Sequence, residues 1–217
     1  MKPYFTEGGV EIYHGDCAEV MSAMDPETID LVLTDPPYPM EFDPVWDALA
    51  DGAPRVMKPG AFLVTLLGHY QLPRVISALS RHLRYHWCGM MPNNNQPIMH
   101  GFRVKVCSKP VLFFSKGKGV PRRVFYDNFI LRTHTSSWRQ SQALHKWGQA
   151  EAAMYEPIDA FTEIGGILLD PFVGGGTTLV AARDMGRRAI GIDIEERNCE
   201  VSANRLRQRV LFGTEVA

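Results

Sequence analysis

The chain has 217 residues, 45% of them apolar, a formal net charge of −1 and four cysteines. That is enough to bury a full core in one domain, and no apolar run approaches the length of a spanning helix, nor does Met1-Lys2-Pro3-Tyr4-Phe5 carry the apolar core of a signal peptide. Cys17, Cys88, Cys107 and Cys199 form no C-x-x-C pair, which suits reduced thiols better than zinc or a disulfide framework, so a cytoplasmic protein is the expectation.

In chain order, Val10 to His14 reads as a first strand ending at Gly15-Asp16, and Cys17 to Met24 as a short helix. Ile29 to Leu33 is an apolar, β-branched run of the kind buried on both faces of a parallel sheet. Asp43 is a plausible N-cap and Pro44 a first-turn proline for a helix running towards Met57, with Lys58-Pro59-Gly60 as its stop. Ala61 to Leu67 is the next strand, Leu72 to Leu83 the next helix with Arg74, Arg81 and Arg84 on its polar side, Met90 to Pro97 a loop, and Lys109 to Ser115 a strand. Ala150 to Ile164 reads as a helix interrupted near Pro157. Ile167 to Leu169 and Ala189 to Ile192 read as strands around a helix from Leu179 to Met185, and Glu195 to Arg209 as the last helix.

The segment Gly52 to Ala150 holds fifteen Lys/Arg and one acid, Asp127, whereas the flanks hold eight Lys/Arg and twenty-three acids. A segregated basic region is the sequence footprint of a polyanion-binding face. Within it, Thr133 to Gln142 mixes amides and hydroxyls with Arg139 and Trp138, a composition suited to phosphates and base edges that ordinary surface loops share.

Two strand ends carry chemistry. After the strand at Ile29, Asp35-Pro36-Pro37-Tyr38 leaves the sheet as a stiff extended loop, since two prolines fix φ and remove two donors. A carboxylate, uncommitted carbonyls and an aromatic face can accept hydrogen bonds from an amino group and stack on the ring that bears it, as a nucleobase amine requires. Later, Asp170-Pro171-Phe172-Val173-Gly174-Gly175-Gly176-Thr177-Thr178 joins a strand to a helix, and Asp193 ends the next strand. Three glycines let a ligand approach bare backbone, and a carboxylate at that spacing can accept from both hydroxyls of a ribose, so an adenosine cofactor is expected.

Together these motifs resemble the DNA amino-methyltransferases, and their order, catalytic loop first and glycine turn near the C-terminus, resembles the circularly permuted β-group of that family. The resemblance spans nearly the whole chain. It implies an α/β, doubly wound, Rossmann-like fold in one domain, with residues 88–150 as a basic target-recognition insertion. It implies S-adenosylmethionine bound by Asp16, Asp35, Asp170, Phe172, Gly174, Gly176, Thr177, Thr178, Asp193 and Gln149, catalysis by Asp35, Pro36, Pro37 and Tyr38, and no metal. In this family Asp16 would lie beside the cofactor's adenine. Family members carry a His-Pro-x-Gln-Lys-Pro-like element where this chain has His145-Lys146-Trp147-Gly148-Gln149-Ala150, so His145 reads as structural. The implied substrate is double-stranded DNA with the target base flipped, the implied setting a restriction-modification system in the cytoplasm of a bacterial, archaeal or phage-infected cell; a homodimer is compatible with it.

Adenine N6 is the expected target, because members acting on cytosine often have Ser at the position of Asp35. Cytosine N4, RNA, a protein amide and a catalytically silent DNA-binding protein stay open. A nicotinamide dehydrogenase would explain the glycine turn and Asp193 but not Asp35 to Tyr38.

Overall fold

A computed structural model describes residues 1–37, 42–92, 98–99, 103–125, 127 and 148–211, the side chains of 148–153 and 209–211 excepted. Strands β1 (Phe5–Glu7) and β2 (Val10–His14) lead into α1 (Cys17–Ala23), β3 (Ile29–Thr34), α2 (Val45–Val56) and β4 (Met57–Leu66). After a 3-10 turn come α3 (Leu72–Leu79), β5 (Arg84–Pro92), the short pair β6 (Ile98–Met99) and β7 (Val104–Lys105), and β8 (Ser108–Ser115). The last third is α4 (Gly148–Phe161), β9 (Ile167–Asp170), α5 (Thr177–Asp184), β10 (Arg188–Asp193) and α6 (Glu196–Leu211).

Eight strands form one sheet in the order β1-β2-β10-β9-β3-β4-β8-β5, parallel from β2 through β4 and antiparallel at both edges. Both faces of its centre are covered, which is why these strands read as unbroken apolar runs. Alternate residues still divide between the faces. Phe62, Val64 and Leu66 of β4 pack with Ile158 and Phe161 of α4 and Leu179 of α5, whereas Leu63 and Leu67 pack with Trp46, Leu49 and Val75 under α2 and α3.

The helices therefore sort by chain order, α1 to α3 on one face and α4 to α6 on the other. The chain leaves β3 towards one face and its neighbour β9 towards the other, so the topological switch point lies between these two strands. In open α/β sheets the crevice beyond the strands' carboxyl ends at such a point is where ligands bind.

Five local expectations change. Pro44, not Asp43, stands at the N-cap of α2 without a side-chain cap, because Asp43 is already drawn into a turn through Trp46 N–H. Lys58-Pro59-Gly60 lies inside β4, bulged where Ile29 faces Met57 and Leu31 faces Phe62, with Gly60 at φ +81°. The helix after Leu72 stops at Leu79, and Arg84 opens β5 instead of lying on that helix. The loop expected at Met90 is the end of β5, paired with β8 through Pro92↔Ser108; residues 93–97 lie outside the described residues. Residues 88–92 and 108–115 thus belong to the central sheet. Pro157 sits within α4, which continues to Phe161.

Candidate active site

The carboxyl ends of the parallel strands bring the two sequence motifs to one edge. His14 faces Asp193, Gly191 faces Asp170, and Thr34 faces Thr65. Thr34 Oγ1 crosses the switch point to donate to Asp170 Oδ1 at 2.7 Å, joining the residue before Asp35 to the residue that opens the glycine turn. Asp35 is exposed, Pro36 buried and Pro37 half-buried; Tyr38 lies outside the described residues. Asp170 is buried and also accepts from the Phe172 N–H at 3.2 Å. Burial pushes its carboxyl up from the ordinary 3.8 to about 6; bonds from Thr34, Thr178 and Phe172 oppose that rise and the Asp35 charge adds to it.

The glycines divide the labour of the turn. Gly174 has φ +48°, and nothing lies within 4 Å of where its Cβ would stand; beside Gly175 there is only the Arg205 guanidinium, at 3.8 Å. Bare backbone here faces open space, a cradle that a side chain would fill and into which an adenosine-bearing cofactor fits. Gly176, at φ +77°, is instead closed against α6, with Ser202 Oγ 2.9 Å from its missing Cβ. The same helix secures the turn: Ser202 Oγ donates to Gly174 O at 2.8 Å, and Arg205 donates to Gly175 O at 2.7 Å and to Thr177 Oγ1 at 3.0 Å. Phe172 is half-buried, Thr177 half-buried and Thr178 buried at the start of α5.

Asp193 corrects an expectation. It is nearly buried, its Oδ2 accepts from Gly174 N–H at 2.9 Å, and its Oδ1 accepts from Glu195 N–H at 2.9 Å and from Asn198 Nδ2 at 3.1 Å. A carboxylate offers about four acceptor positions, and three are taken by the protein. One remains, so Asp193 as placed can receive one ribose hydroxyl and not both. Asp16 is exposed beside it and caps α1, accepting from Ala18 N–H at 2.8 Å and Glu19 N–H at 3.3 Å through Oδ1. Gln149 begins α4, but its side chain and all of His145 lie outside the described residues.

Sequence reasoning missed Lys109, whose Nζ stands 3.6 Å from Asp35 Oδ2. Pairing β8 antiparallel to β4, Leu66↔Val111, puts the amino end of β8 at the same sheet edge as the carboxyl end of β3. Strand direction, invisible in the periodicity, was the needed signal. Ser202 and Arg205 were also missed; both lie one face of a helix away from a turn 28 or more residues earlier.

Among the described residues, the cations of the middle segment are interleaved with acids of the flanks. Lys58, Arg74, Arg81, Lys109, Lys116, Arg122 and Arg123 pair respectively with Asp30, Asp47, Asp51, Asp35, Glu27, Glu163 and Glu156, all acids of the flanks. Arg55 caps the carbonyls of Met21, Ser22 and Met24 that end α1. Among the described residues, Arg84, Arg103, Lys105 and Lys118 have no acid at ion-pair distance.

A doubly wound sheet with a glycine turn and an Asp-Pro-Pro loop facing each other across its switch point is the fold shared with solved DNA methyltransferases. A model of the N6/N4 DNA methylase family matches residues 29–204, and the chain belongs to that family. Type II methyltransferase M2.DpnII of Streptococcus pneumoniae is 25% identical over 255 residues, covering 94% of this chain and 92% of its own. Type II methyltransferase M.HinfI of Haemophilus influenzae is 24% identical over 249 residues, covering 91% and 68%. M1.HpyAVI, also solved in complex with S-adenosylmethionine, superposes with a TM-score of 0.71 at 23% identity over 91% of this chain and 98% of that one. The cytosine-N4-specific PvuII DNA methyltransferase superposes with a TM-score of 0.73 at 18% identity over 98% and 96%.

Proposed function

We propose that this methylase transfers a methyl group from S-adenosylmethionine to the exocyclic N6 amine of an adenine flipped out of duplex DNA. The observation that carries the reading is the juxtaposition of an exposed Asp35 with an open glycine cradle, coupled through Thr34 and Asp170. The cofactor's holders in this reading are Gly174 and Gly175 by backbone, Phe172, Thr177, Thr178 and Gln149 around them, the remaining acceptor of Asp193, and Asp16 beside the adenine. S-adenosylmethionine, when bound, supplies an electrophilic methyl group on a sulfonium.

An exocyclic amine is a poor nucleophile because its lone pair is delocalised into the ring, so the protein's work is positioning. Asp35 accepts one amino hydrogen and the Pro36 carbonyl the other, turning the lone pair out of conjugation; Tyr38 stacks on the ring. The amine becomes cationic as it is methylated, and the Asp35 charge stabilises it until the proton leaves. Flipping costs roughly a few kcal/mol, offset by stacking and by phosphate contacts from cations of residues 88–150.

Asp, not Ser, at position 35 supports adenine. The fold shared with the cytosine-N4-specific PvuII enzyme favours a second reading in which the same mechanism acts on cytosine. Incubating the protein with methyl-labelled S-adenosylmethionine and mixed-sequence duplex DNA, then digesting to nucleosides, tests both. Label in N6-methyl-2′-deoxyadenosine is expected. Label in the cytosine amine replaces the base, and no label in DNA overturns the reading.

A further inference from the structure

Lys109 presents a cation to the carboxylate that the reaction above needs. Its Nζ stands 3.6 Å from Asp35 Oδ2, with about a third of each side chain exposed, 32% and 38%. The backbone of β8 fixes the base of this side chain rigidly: Pro110 O accepts from Leu67 N–H at 3.2 Å, Ser108 O is bonded to His69 Nε2 at 2.9 Å, and Lys109 faces Met91 on β5. The stem beyond is flexible and ends in three donors.

This pairing conflicts with turnover. Resting on the adenine-N6 reading, Asp35 has to turn its acceptors to an incoming amine, and that amine acquires a positive charge during transfer. A lysine ammonium left in place would occupy the acceptor and repel the developing cation. The ion pair must therefore open as the base enters, and the displaced ammonium is drawn to whatever anion enters with the base. The flipped nucleotide brings one of its own, the phosphodiester beside its sugar.

We propose that Lys109 is an exchange residue: it neutralises Asp35 in the free protein and passes to a phosphate flanking the flipped nucleotide when the base takes its place. Lys109 therefore couples base entry to backbone capture. The pair holds Asp35 and its loop in place between substrates, and it disfavours occupation of the pocket by an uncharged nucleobase that arrives without a phosphate.

The test is the salt dependence of duplex binding for the wild type, Lys109→Met, Lys109→Gln and Lys109→Arg, alongside steady-state transfer. One phosphate contact contributes about −0.9 to the slope of log K against log[salt]. Lys109→Met and Lys109→Gln are expected to flatten the slope by that amount, so their deficit shrinks about threefold between 50 and 200 mM salt. KM for DNA should rise by more than kcat falls, and Lys109→Arg should restore the slope. A wild-type slope in both neutral variants, with the loss confined to kcat, overturns the exchange while leaving DNA methylation standing. A wild type that labels no DNA overturns the parent reading and this inference with it.

Discussion

Asp170 and Asp193 are both nearly buried carboxylates at strand ends, yet their surroundings ask different things of them. Asp193 receives three protein donors. Asp170 is held up at about 6 by burial, so in the unfolded chain it loses its proton near 3.8 while the native state keeps it longer. Between those values the native state binds more protons, and stability falls as pH rises; the favourable contribution is complete below about pH 4 and lost on passing 6. Roughly 3 kcal/mol is at stake. Asp170→Asn keeps an acceptor for Thr34 and removes the titration, so urea denaturation at pH 4.5 and 7 should show a smaller decline for the variant than for the wild type; parallel declines would refute the assignment. The contrast also changes what a mutation at Asp193 reports. Asp35→Ala should abolish transfer and leave cofactor affinity within a few-fold. Asp193→Ala should weaken cofactor binding and also strand three donors, two of them backbone N–H groups, for a stability loss of roughly 2–4 kcal/mol. Calorimetry of cofactor binding beside urea denaturation separates the two, and a binding defect in Asp35→Ala with none in Asp193→Ala would mean that the sites are exchanged.

Packing between elements, more than any single bond, brings the glycine turn to the switch point. Gly191 in β10 lets α5 lie close on the sheet: a Cβ there would stand 2.7 Å from Leu179 Cδ1 and 2.9 Å from Val173 Cγ2. Gly191→Ala should therefore cost about 1–3 kcal/mol by overpacking. Leu179→Ala costs stability alone, but it vacates the nearer clash and leaves only that with Val173, so the double variant should be less unstable than the sum by about 1 kcal/mol, read from urea midpoints; strict additivity would place the strain elsewhere. The unit β9, glycine turn, α5, β10 was legible in sequence because each part has its own local signature: an apolar run, Gly174 to Gly176, a small-residue helix and a terminal acid. The same is true of β3 and Asp35. What could not be read depends on pairing. The strand β5 carries exposed Arg84, Tyr85, Trp87 and Met90 because it is an edge, so its half-polar pattern imitates a loop. Lys58-Pro59-Gly60 imitates a helix stop because a bulge tolerates the residues that strands exclude. Lys109 looks like one more basic residue until the antiparallel course of β8 carries it to Asp35.

Over the whole molecule, charges that are separate along the chain are interleaved in space, and their environments decide what each pair is worth. Arg74 and Asp47 are both substantially exposed, 38% and 44%, and such a pair contributes less than about 1 kcal/mol. Arg123 faces Glu156, whose side chain is only 6% exposed, and reaches Asp159 as well. Arg123→Met takes the guanidinium from that buried carboxylate and should cost more than Arg74→Met, which should lose under about 1 kcal/mol, with the first loss persisting in high salt. Equal losses in urea titrations would mean that Glu156 finds another partner. The interleaving also limits what the protein can offer to DNA. Of the twelve cations between Gly52 and Ala150 among the described residues, seven are paired with flank acids and Arg55 is committed to carbonyls, which leaves Arg84, Arg103, Lys105 and Lys118. Lys109, released on base entry, makes five, and Arg132, Arg139 and Lys146, which lie outside the described residues, bring the ceiling to eight, so counterion release at about 0.9 per phosphate gives a log–log salt slope no steeper than about −7. Were the whole middle segment a free basic face, the slope would approach about −13. Fluorescence anisotropy of a labelled duplex from 50 to 300 mM salt distinguishes these values. A slope near −7 means that the flank acids hold their partners when DNA binds; a slope near −13 means that the ion pairs open together, and that the acids of the flanks act as a displaceable cover over the binding face.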